Sequence, residues 1–283
     1  MNKSEFLDNI EFYKEKANAL RATCIQMAFD GKENHLKGAL SCIEILIALY
    51  HYYLNINPEK PHDEKRDRFI FSKGHSSTAL YTTLCDRGFF EKELLLTYAK
   101  NDTKLPSHLC KHALPLLDWS SGSLGHGLGI GTGMAYGLKL KMSKSKVVVL
   151  LSDGECNEGS TWEAAQFAKA KELDNLVAIV DYNGIQSIDF TDKLTGYTSF
   201  AEKFKAFGWN TIEVDGHNFS ELLDAFDNID LDSVFPTALI CKTVSGKGVS
   251  FIENDVLWHY RTPSKEDLAN AMVELNSKPI HLK

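Results

Sequence analysis

The side chains of Asp153 and Asn183 have the types and the spacing of a magnesium–phosphate site. Asp153 stands just behind the apolar run 147–151, and Asn183 stands just behind a second apolar run, 176–180. A carboxylate and an amide are hard oxygen donors, which Mg²⁺ accepts together with the phosphates of a ligand. If the two runs are neighbouring strands, this pair predicts a site for a metal ion and a phosphate.

The elements around these residues predict a βαβ unit. Both runs are apolar without alternation, which is typical of parallel strands buried on both faces, and a helical stretch over 160–173 separates them. Asp153 and Asn183 would then emerge at the carboxyl edge of a parallel sheet, where open α/β sheets bind ligands. Asp-Gly and Asn-Gly are also common turn dipeptides, so the spacing alone leaves a plain turn open.

A longer set of residues around this unit resembles the thiamine-diphosphate fingerprint of transketolases. The matching segments are 152–159, 162–165, 173–176 and 181–186, and the resemblance extends over about 17–268. It implies that Asp153, the Asn183 side chain and the Ile185 carbonyl hold Mg²⁺. It also implies that the Gly154 amide approaches the diphosphate of thiamine diphosphate. Ser152 departs from the fingerprint, which has glycine at that position.

Four of the ten histidines lie in surroundings that resemble the substrate channel of transketolases, namely His35, His75, His108 and His259. The resemblance implies that they bind ketose hydroxyls and assist proton transfers, a task that suits a group titrating near neutral pH. It further implies that His75 and His259 contact the cofactor. An isolated histidine is more often a surface or core residue, which is the alternative for each of them. Four departures from the family pattern lie near this channel, at Lys37, Ser107, Leu109 and Tyr260.

The glycine-rich stretch 121–133 allows three interpretations. A dinucleotide site would need a strand leading into the glycines and a well-placed acid for the ribose, and neither is evident. A helix start whose glycines permit close packing is the structural interpretation. The resemblance to transketolases implies that the backbone of Gly122, Ser123 and Leu124 contacts the aminopyrimidine of the cofactor.

The bulk composition is typical of a globular protein and disfavours some partners. The 283 residues are 43% hydrophobic and 24% charged, with a net charge of −7. We therefore expect a single domain over residues 1–283, with no nucleic-acid partner and no membrane partner. The six cysteines form no Cys-x-x-Cys pair and no apolar run reaches membrane length, so we expect reduced thiols and a cytoplasmic location.

The rest of the chain predicts alternating helices and strands. A long helix over 5–30 would end at Gly31, and two capping boxes, 41–44 and 160–163, would each open a helix. Three more strands are expected at 68–71, 211–214 and 237–242, and a last helix is expected from about Ser264. This order predicts an α/β fold, a doubly wound parallel sheet with helices on both faces. The transketolase resemblance implies the same thiamine-diphosphate-binding fold.

The resemblance covers only the amino-terminal half of a transketolase. In that family the glutamate that activates the cofactor lies on a second domain, and Glu158 is not its counterpart because it matches an interface residue. We therefore expect a separately encoded carboxy-terminal subunit that supplies this glutamate, in an α₂β₂ heterotetramer. The expected activity is transfer of a two-carbon ketol unit between sugars or sugar phosphates.

Three other functions stay open at this point. The α subunit of a 2-oxo acid dehydrogenase carries a similar fingerprint. A non-catalytic scaffold subunit could retain an ancestral site, and a simple nucleotide-binding domain is favoured only by the weak glycine pattern. The four histidines and the segment 242–248 favour a transketolase over all three.

Overall fold

The computed structural model describes residues 2–229 and 233–282. Five strands of this part of the chain form one sheet in the order β1-β2-β3-β5-β4, and every neighbouring pair is parallel. The strands are β1 (Arg68–Phe71), β2 (Val147–Ser152), β3 (Leu176–Tyr182), β4 (Asn210–Asp215) and β5 (Thr237–Lys242). The predicted parallel α/β sheet is therefore confirmed.

Helices cover both faces of this sheet. They are α1 (Lys3–Asp8), α2 (Ile10–Gly31), α3 (Leu36–Ser41), α4 (Ile43–Ala48), α5 (Ser77–Asp86), α6 (Gly127–Leu140), α7 (Gly159–Ala170), α8 (Thr191–Thr195), α9 (Phe200–Ala206), α10 (Phe219–Asp227) and α11 (Lys265–Glu274). Helices α6, α7 and α9 share one apolar cluster with the sheet, whereas α2, α4, α5 and α10 share another on its opposite face. None of the described helices is both long and apolar enough to cross a bilayer.

The central strands are apolar throughout because helices cover them on both sides. In β2, Val148 and Leu150 belong to one cluster, and Val147 and Val149 belong to the other. All four side chains are fully buried. A strand with two covered faces needs no polar positions, which is why apolar and polar residues do not alternate in the runs 147–151 and 176–180.

The single long helix predicted for residues 5–30 is wrong, because the chain forms two helices there. The chain forms α1 and α2, with Asn9 between them, and the Asn9 side-chain amide donates to the Glu5 carbonyl at 2.8 Å. Asparagine competes for local backbone groups in this way and so favours a helix boundary. Gly31 is the last helical residue, while Lys32 adopts the left-handed cap conformation with φ of 54°.

The first predicted capping box is also wrong, because both of its residues bind distant partners. Ser41 ends α3, and its hydroxyl donates to Asp181 Oδ2 at 2.6 Å. Glu44 is buried and accepts from the Arg21 guanidinium at 2.6 Å. Tertiary contacts therefore override the local pattern.

The second predicted box fails for a related reason, although the helix itself is present. Ser160 lies inside α7, whose N-cap is Glu158, and the Ser160 hydroxyl donates to the Gly125 carbonyl at 2.8 Å. Glu163 is exposed on the helix surface. The last helix agrees with prediction, since Ser264 caps α11 through a reciprocal pair of bonds with Asp267.

Candidate functional site

A cleft of about 390 Å³ opens at the carboxyl edge of the sheet. Its walls come from the loops behind β1, β2, β3 and β5, together with the start of α3 and the glycine-rich loop. Among the residues predicted for the site, those that line this cleft are His35, His75, His108, His259, Gly122, Leu124, Asp153, Gly154, Asn183 and Ile185. Ser123 is exposed and is not among the lining residues. The topology thus brings together groups that are far apart in the sequence.

Asp153 is the buried carboxylate at the floor of the cleft. It is 1% exposed; its Oδ1 accepts from the Gly154 amide at 2.9 Å, and its Oδ2 accepts from the Gly184 amide at 3.0 Å and from the Thr191 hydroxyl at 2.8 Å. Burial raises the pKa of the Asp153 carboxyl to about 6. A carboxylate destabilised by burial gains from a nearby cation, so the residue fits a metal site.

Asn183 turns its side-chain oxygen towards the same loop. Its Oδ1 accepts from the Ile185 amide at 3.2 Å. In the described part of the chain, no three His, Cys, Asp or Glu side chains converge as a metal site. A carboxylate together with amide and carbonyl oxygens is a donor set that suits Mg²⁺ sharing its coordination with the phosphates of a ligand.

The four predicted histidines form one cluster in the cleft. The ring of His35 lies 4.7 Å from that of His259, 5.6 Å from that of His75 and 6.4 Å from that of His108, measured between centroids. The His35 amide donates to the His259 carbonyl at 3.1 Å, which ties the two loops together. His35 has a left-handed backbone with φ of 61°, a strained conformation for a residue with a side chain.

The surroundings of His35, His75 and His259 lower the pKa of each imidazole and favour its neutral form. Burial lowers the pKa of His259 to about 4, with further contributions from the charges of His35, Lys37 and Lys73. Burial and the charge of Lys73 also lower the pKa of His75 well below its usual range. Neutral imidazoles can accept protons or donate a single hydrogen bond, as proton transfer to a bound sugar would require.

Lys73 and Asp181 form a buried ion pair beside the cleft, which the sequence reasoning missed. The Lys73 ammonium bonds to Asp181 Oδ2 and donates to the Gly38 carbonyl at 2.8 Å, and both charged side chains are fully buried. Ser41 and Thr243 donate their hydroxyls to the same carboxylate. The pair therefore joins α3 and the loops behind β1 and β5 to the end of β3. In the sequence, the motif around His75 was the available signal.

Glu155, which lies in the fingerprint segment 152–159, links two walls of the site. Its Oε1 accepts from the Ser72 hydroxyl and from the Gly125 amide, the latter at 2.9 Å. Burial raises the pKa of this carboxyl. The glycine-rich loop is thereby fixed against the ends of β1 and β2.

A further missed residue, His217, positions the loop behind β5. Its Nε2 accepts from the Val244 amide at 2.9 Å, and its Nδ1 lies 3.0 Å from Glu44 Oε2. Glu44 in turn pairs with Arg21, and these contacts lower the pKa of its carboxyl to about 2 despite the opposing effect of burial. The carboxylate predicted to cap a helix therefore orients a loop of the cleft.

The glycine-rich stretch opens a helix and has no strand before it. Residues 115–121 contain no strand, so the described structure gives no support to a dinucleotide site. Gly127 starts α6 at the end of β1, where an added Cβ would lie 2.0 Å from Ser72 Oγ. Close packing of this kind agrees with the structural interpretation of the glycines.

Comparison with known protein families decides the relationship. The model for the family described as transketolase, thiamine diphosphate binding domain, matches residues 12–280. The chain belongs to the transketolase family. The description of the family names thiamine diphosphate. A diphosphate agrees with the oxygen donors of Asp153 and Asn183 in the cleft, which suit a metal ion bound to phosphates.

Two relatives of this transketolase-family chain match it along nearly their whole length. One is a subunit of the apulose-4-phosphate transketolase of Phocaeicola vulgatus, 36% identical over 272 residues that cover 96% of this chain and 95% of that subunit. The other is the 6-deoxy-6-sulfo-D-fructose transketolase subunit SqwG of Clostridium sp., 34% identical over 265 residues that cover 94% of this chain and 96% of that subunit. Both relatives are named as subunits of transketolases.

The fold also agrees with solved transketolases. The transketolase of Campylobacter jejuni superimposes with a TM-score of 0.88 at 28% identity, covering 96% of this chain and 44% of that protein. This transketolase-family chain therefore spans less than half the length of that relative. The match places it with the thiamine-diphosphate-binding α/β fold.

Proposed function

We propose that this chain is the diphosphate-binding subunit of a split transketolase. In this proposal it binds thiamine diphosphate and Mg²⁺ and, with a separately encoded second subunit, transfers a two-carbon ketol unit from a ketose or ketose phosphate to an aldose. The observation that carries the proposal is the convergence of four histidines on the cleft above Asp153 and Asn183. Nothing in folding requires that set of residues.

The residues of the cleft floor fit the metal and the diphosphate. Asp153, the Asn183 side chain and the Ile185 carbonyl would hold Mg²⁺, and the Gly154 amide would face the diphosphate. The backbone of the loop at Gly122, Ser123 and Leu124 would contact the aminopyrimidine; the exposure of Ser123 limits its own part to the backbone. When bound, thiamine diphosphate supplies a carbanion at its thiazolium ring, and the protein contributes position and proton transfer.

The histidine cluster would bind and orient the sugar. His35, His75, His108 and His259 come from four separate segments of the chain and all line the cleft, which suits a ligand with several hydroxyls. The neutral state favoured for His259 lets it accept a proton from a hydroxyl without prior deprotonation. His75 and His259 would also contact the cofactor.

The names of the relatives support a second subunit. The named subunits of the apulose-4-phosphate and 6-deoxy-6-sulfo-D-fructose transketolases match 96% and 94% of this chain, respectively. We propose a partner that supplies the activating glutamate, in an α₂β₂ heterotetramer. Those relatives are named for sugars with a phosphate or a sulfo group, so the proposed substrate class here is a sugar or sugar phosphate. A single domain over 1–283 and a cytoplasmic location stay predictions.

A cofactor titration tests this function. Asp153→Ala should weaken binding of thiamine diphosphate in the presence of Mg²⁺ by at least about 100-fold. Loss of a residue that only supports a metal ligand typically costs about 10–100-fold in metal affinity, and loss of the ligand itself should cost more. The matched control is Asp192→Ala, which removes an exposed carboxylate of α8. Isothermal titration calorimetry reports both affinities, and equal affinity of Asp153→Ala and the unaltered chain would remove Asp153 from the site.

A further inference from the structure

Lys37 is a buried cation of the cleft without a carboxylate partner. Its side chain is 2% exposed, and its ammonium donates to the Gln186 carbonyl at 3.2 Å. No Asp or Glu within residues 2–229 and 233–282 forms an ion pair with it, whereas the neighbouring Lys73 pairs with Asp181. Lysine is almost never buried unless it is paired, because desolvating an ammonium is costly. The position therefore calls for an anion.

Two further polar groups beside Lys37 are buried and unsatisfied. Gln186 Nε2 and Ser245 Oγ have no hydrogen-bond partner in the described structure. The Gln186 side chain lies against Gly154, where a Cβ on the glycine would be 3.3 Å from Gln186 Cγ. The Gly246 amide donates to the Lys37 carbonyl at 3.0 Å, which holds the Ser245 loop beside α3. Lys37, Gln186 and Ser245 all line the cleft, and donors without partners there suit a ligand rich in acceptor oxygens.

We infer that Lys37, with Gln186 and Ser245, binds the diphosphate of the cofactor. The inference rests on the proposed function and deepens it, because it assigns the group that balances the charge of the site. A diphosphate and the Asp153 carboxylate carry more negative charge than one divalent cation neutralises. Lys73 contributes little to that balance because Asp181 already neutralises it.

An anionic group on the sugar is the other source of such oxygens. The position of Gln186 favours the diphosphate, since it directly follows Ile185, whose carbonyl is proposed to hold the metal. The contact of Lys37 with the Gln186 carbonyl therefore lies at the metal end of the cleft. Gln186 also packs against Gly154, whose amide is proposed to face the diphosphate, since a Cβ on that glycine would lie 3.3 Å from Gln186 Cγ.

The test is a titration of thiamine diphosphate and Mg²⁺ into the protein recovered from its own cells and stripped of cofactor with a chelator. Lys37→Met keeps the length of the side chain and should raise the Kd by at least about tenfold, the loss typical of one hydrogen bond to a charged group. Lys37→Arg should recover most of the affinity. The control Lys205→Met removes an exposed lysine of α9 and should leave the Kd unchanged.

Thermal unfolding of the same cofactor-free proteins separates ligand binding from a structural role. Lys37→Met should melt at or above the temperature of the unaltered protein, because it removes an unpaired buried charge. A lysine needed for folding would give the opposite result. Inorganic pyrophosphate with Mg²⁺ should raise the melting temperature of the unaltered protein by more than that of Lys37→Met.

The possible outcomes distinguish this inference from the proposed function. If the unaltered protein binds the cofactor and Lys37→Met binds it equally well, the inference is wrong and the proposed function stands. A raised KM for a sugar phosphate with an unchanged cofactor Kd would likewise overturn it and assign Lys37 to the substrate. If the unaltered protein binds no cofactor, both the inference and the proposed function fail.

Discussion

Replacing Lys73 with methionine should be among the most destabilising single changes at the site. Methionine retains most of the length of the side chain and removes the ammonium, so the Asp181 carboxylate is left buried without its counter-charge. Breaking one member of a buried ion pair costs about 3–5 kcal/mol. The Ser41 and Thr243 hydroxyls would still donate to Asp181, which moves the expectation to the lower half of that range. We expect a loss of about 3–4 kcal/mol in the free energy of unfolding.

Urea unfolding followed by far-UV circular dichroism measures this loss from the shift of the midpoint at constant slope. The matched control is Lys205→Met, whose ammonium pairs with Glu202 at 2.8 Å on the surface and should leave the midpoint unchanged. The double variant Lys73→Met/Asp181→Leu should lose less free energy of unfolding than the two single variants lose in sum, because both charges are removed together. A loss below about 1 kcal/mol for Lys73→Met would refute the reasoning about the buried pair.

Two further perturbations test the packing and the electrostatics of the site. Gly127→Ala should destabilise the protein by about 1–3 kcal/mol in the same urea assay, because the new Cβ would overlap Ser72. Gly129→Ala on the open face of α6 should be neutral or stabilising, and equal effects of the two changes would contradict the packing argument. The free energy of unfolding should fall between about pH 7 and pH 5, and His259→Asn should make that fall smaller by about 1 kcal/mol, with solvent screening allowed for. The sign follows from the lowered pKa of His259, about 4, since the unfolded state binds more protons below about pH 6.5 and stability falls there; an unchanged pH dependence would argue against it.

The sheet and the strand-end residues could be predicted because they follow from local runs. Two apolar runs without alternation predicted parallel strands, and parallel strands bring their carboxyl ends to one edge whatever separates them in sequence. Asp153 and Asn183 therefore line one cleft as expected. Their roles in binding stay predictions, as do those of the four histidines.

The contacts that hold the site together could not be predicted, because they join residues distant in sequence. Ser41 and Glu44 form a capping pattern, yet the chain folds so that Asp181 and Arg21 are their partners. A local pattern gives no information about a buried carboxylate that arrives from another strand. Lys37 was visible only as a departure from the family, and its unsatisfied surroundings emerge when the Gln186 and Ser245 loops close around it.

The central claim is that this chain works as one half of a cofactor-dependent, two-subunit transferase. Native mass spectrometry of the tagged chain, recovered from its own cells with Mg²⁺ and thiamine diphosphate present, tests it most directly. We predict a complex that contains a second subunit of similar size together with bound cofactor, at the mass of two copies of each subunit. A monomer or homo-oligomer without cofactor would contradict the claim and would favour a non-catalytic scaffold built on the same fold.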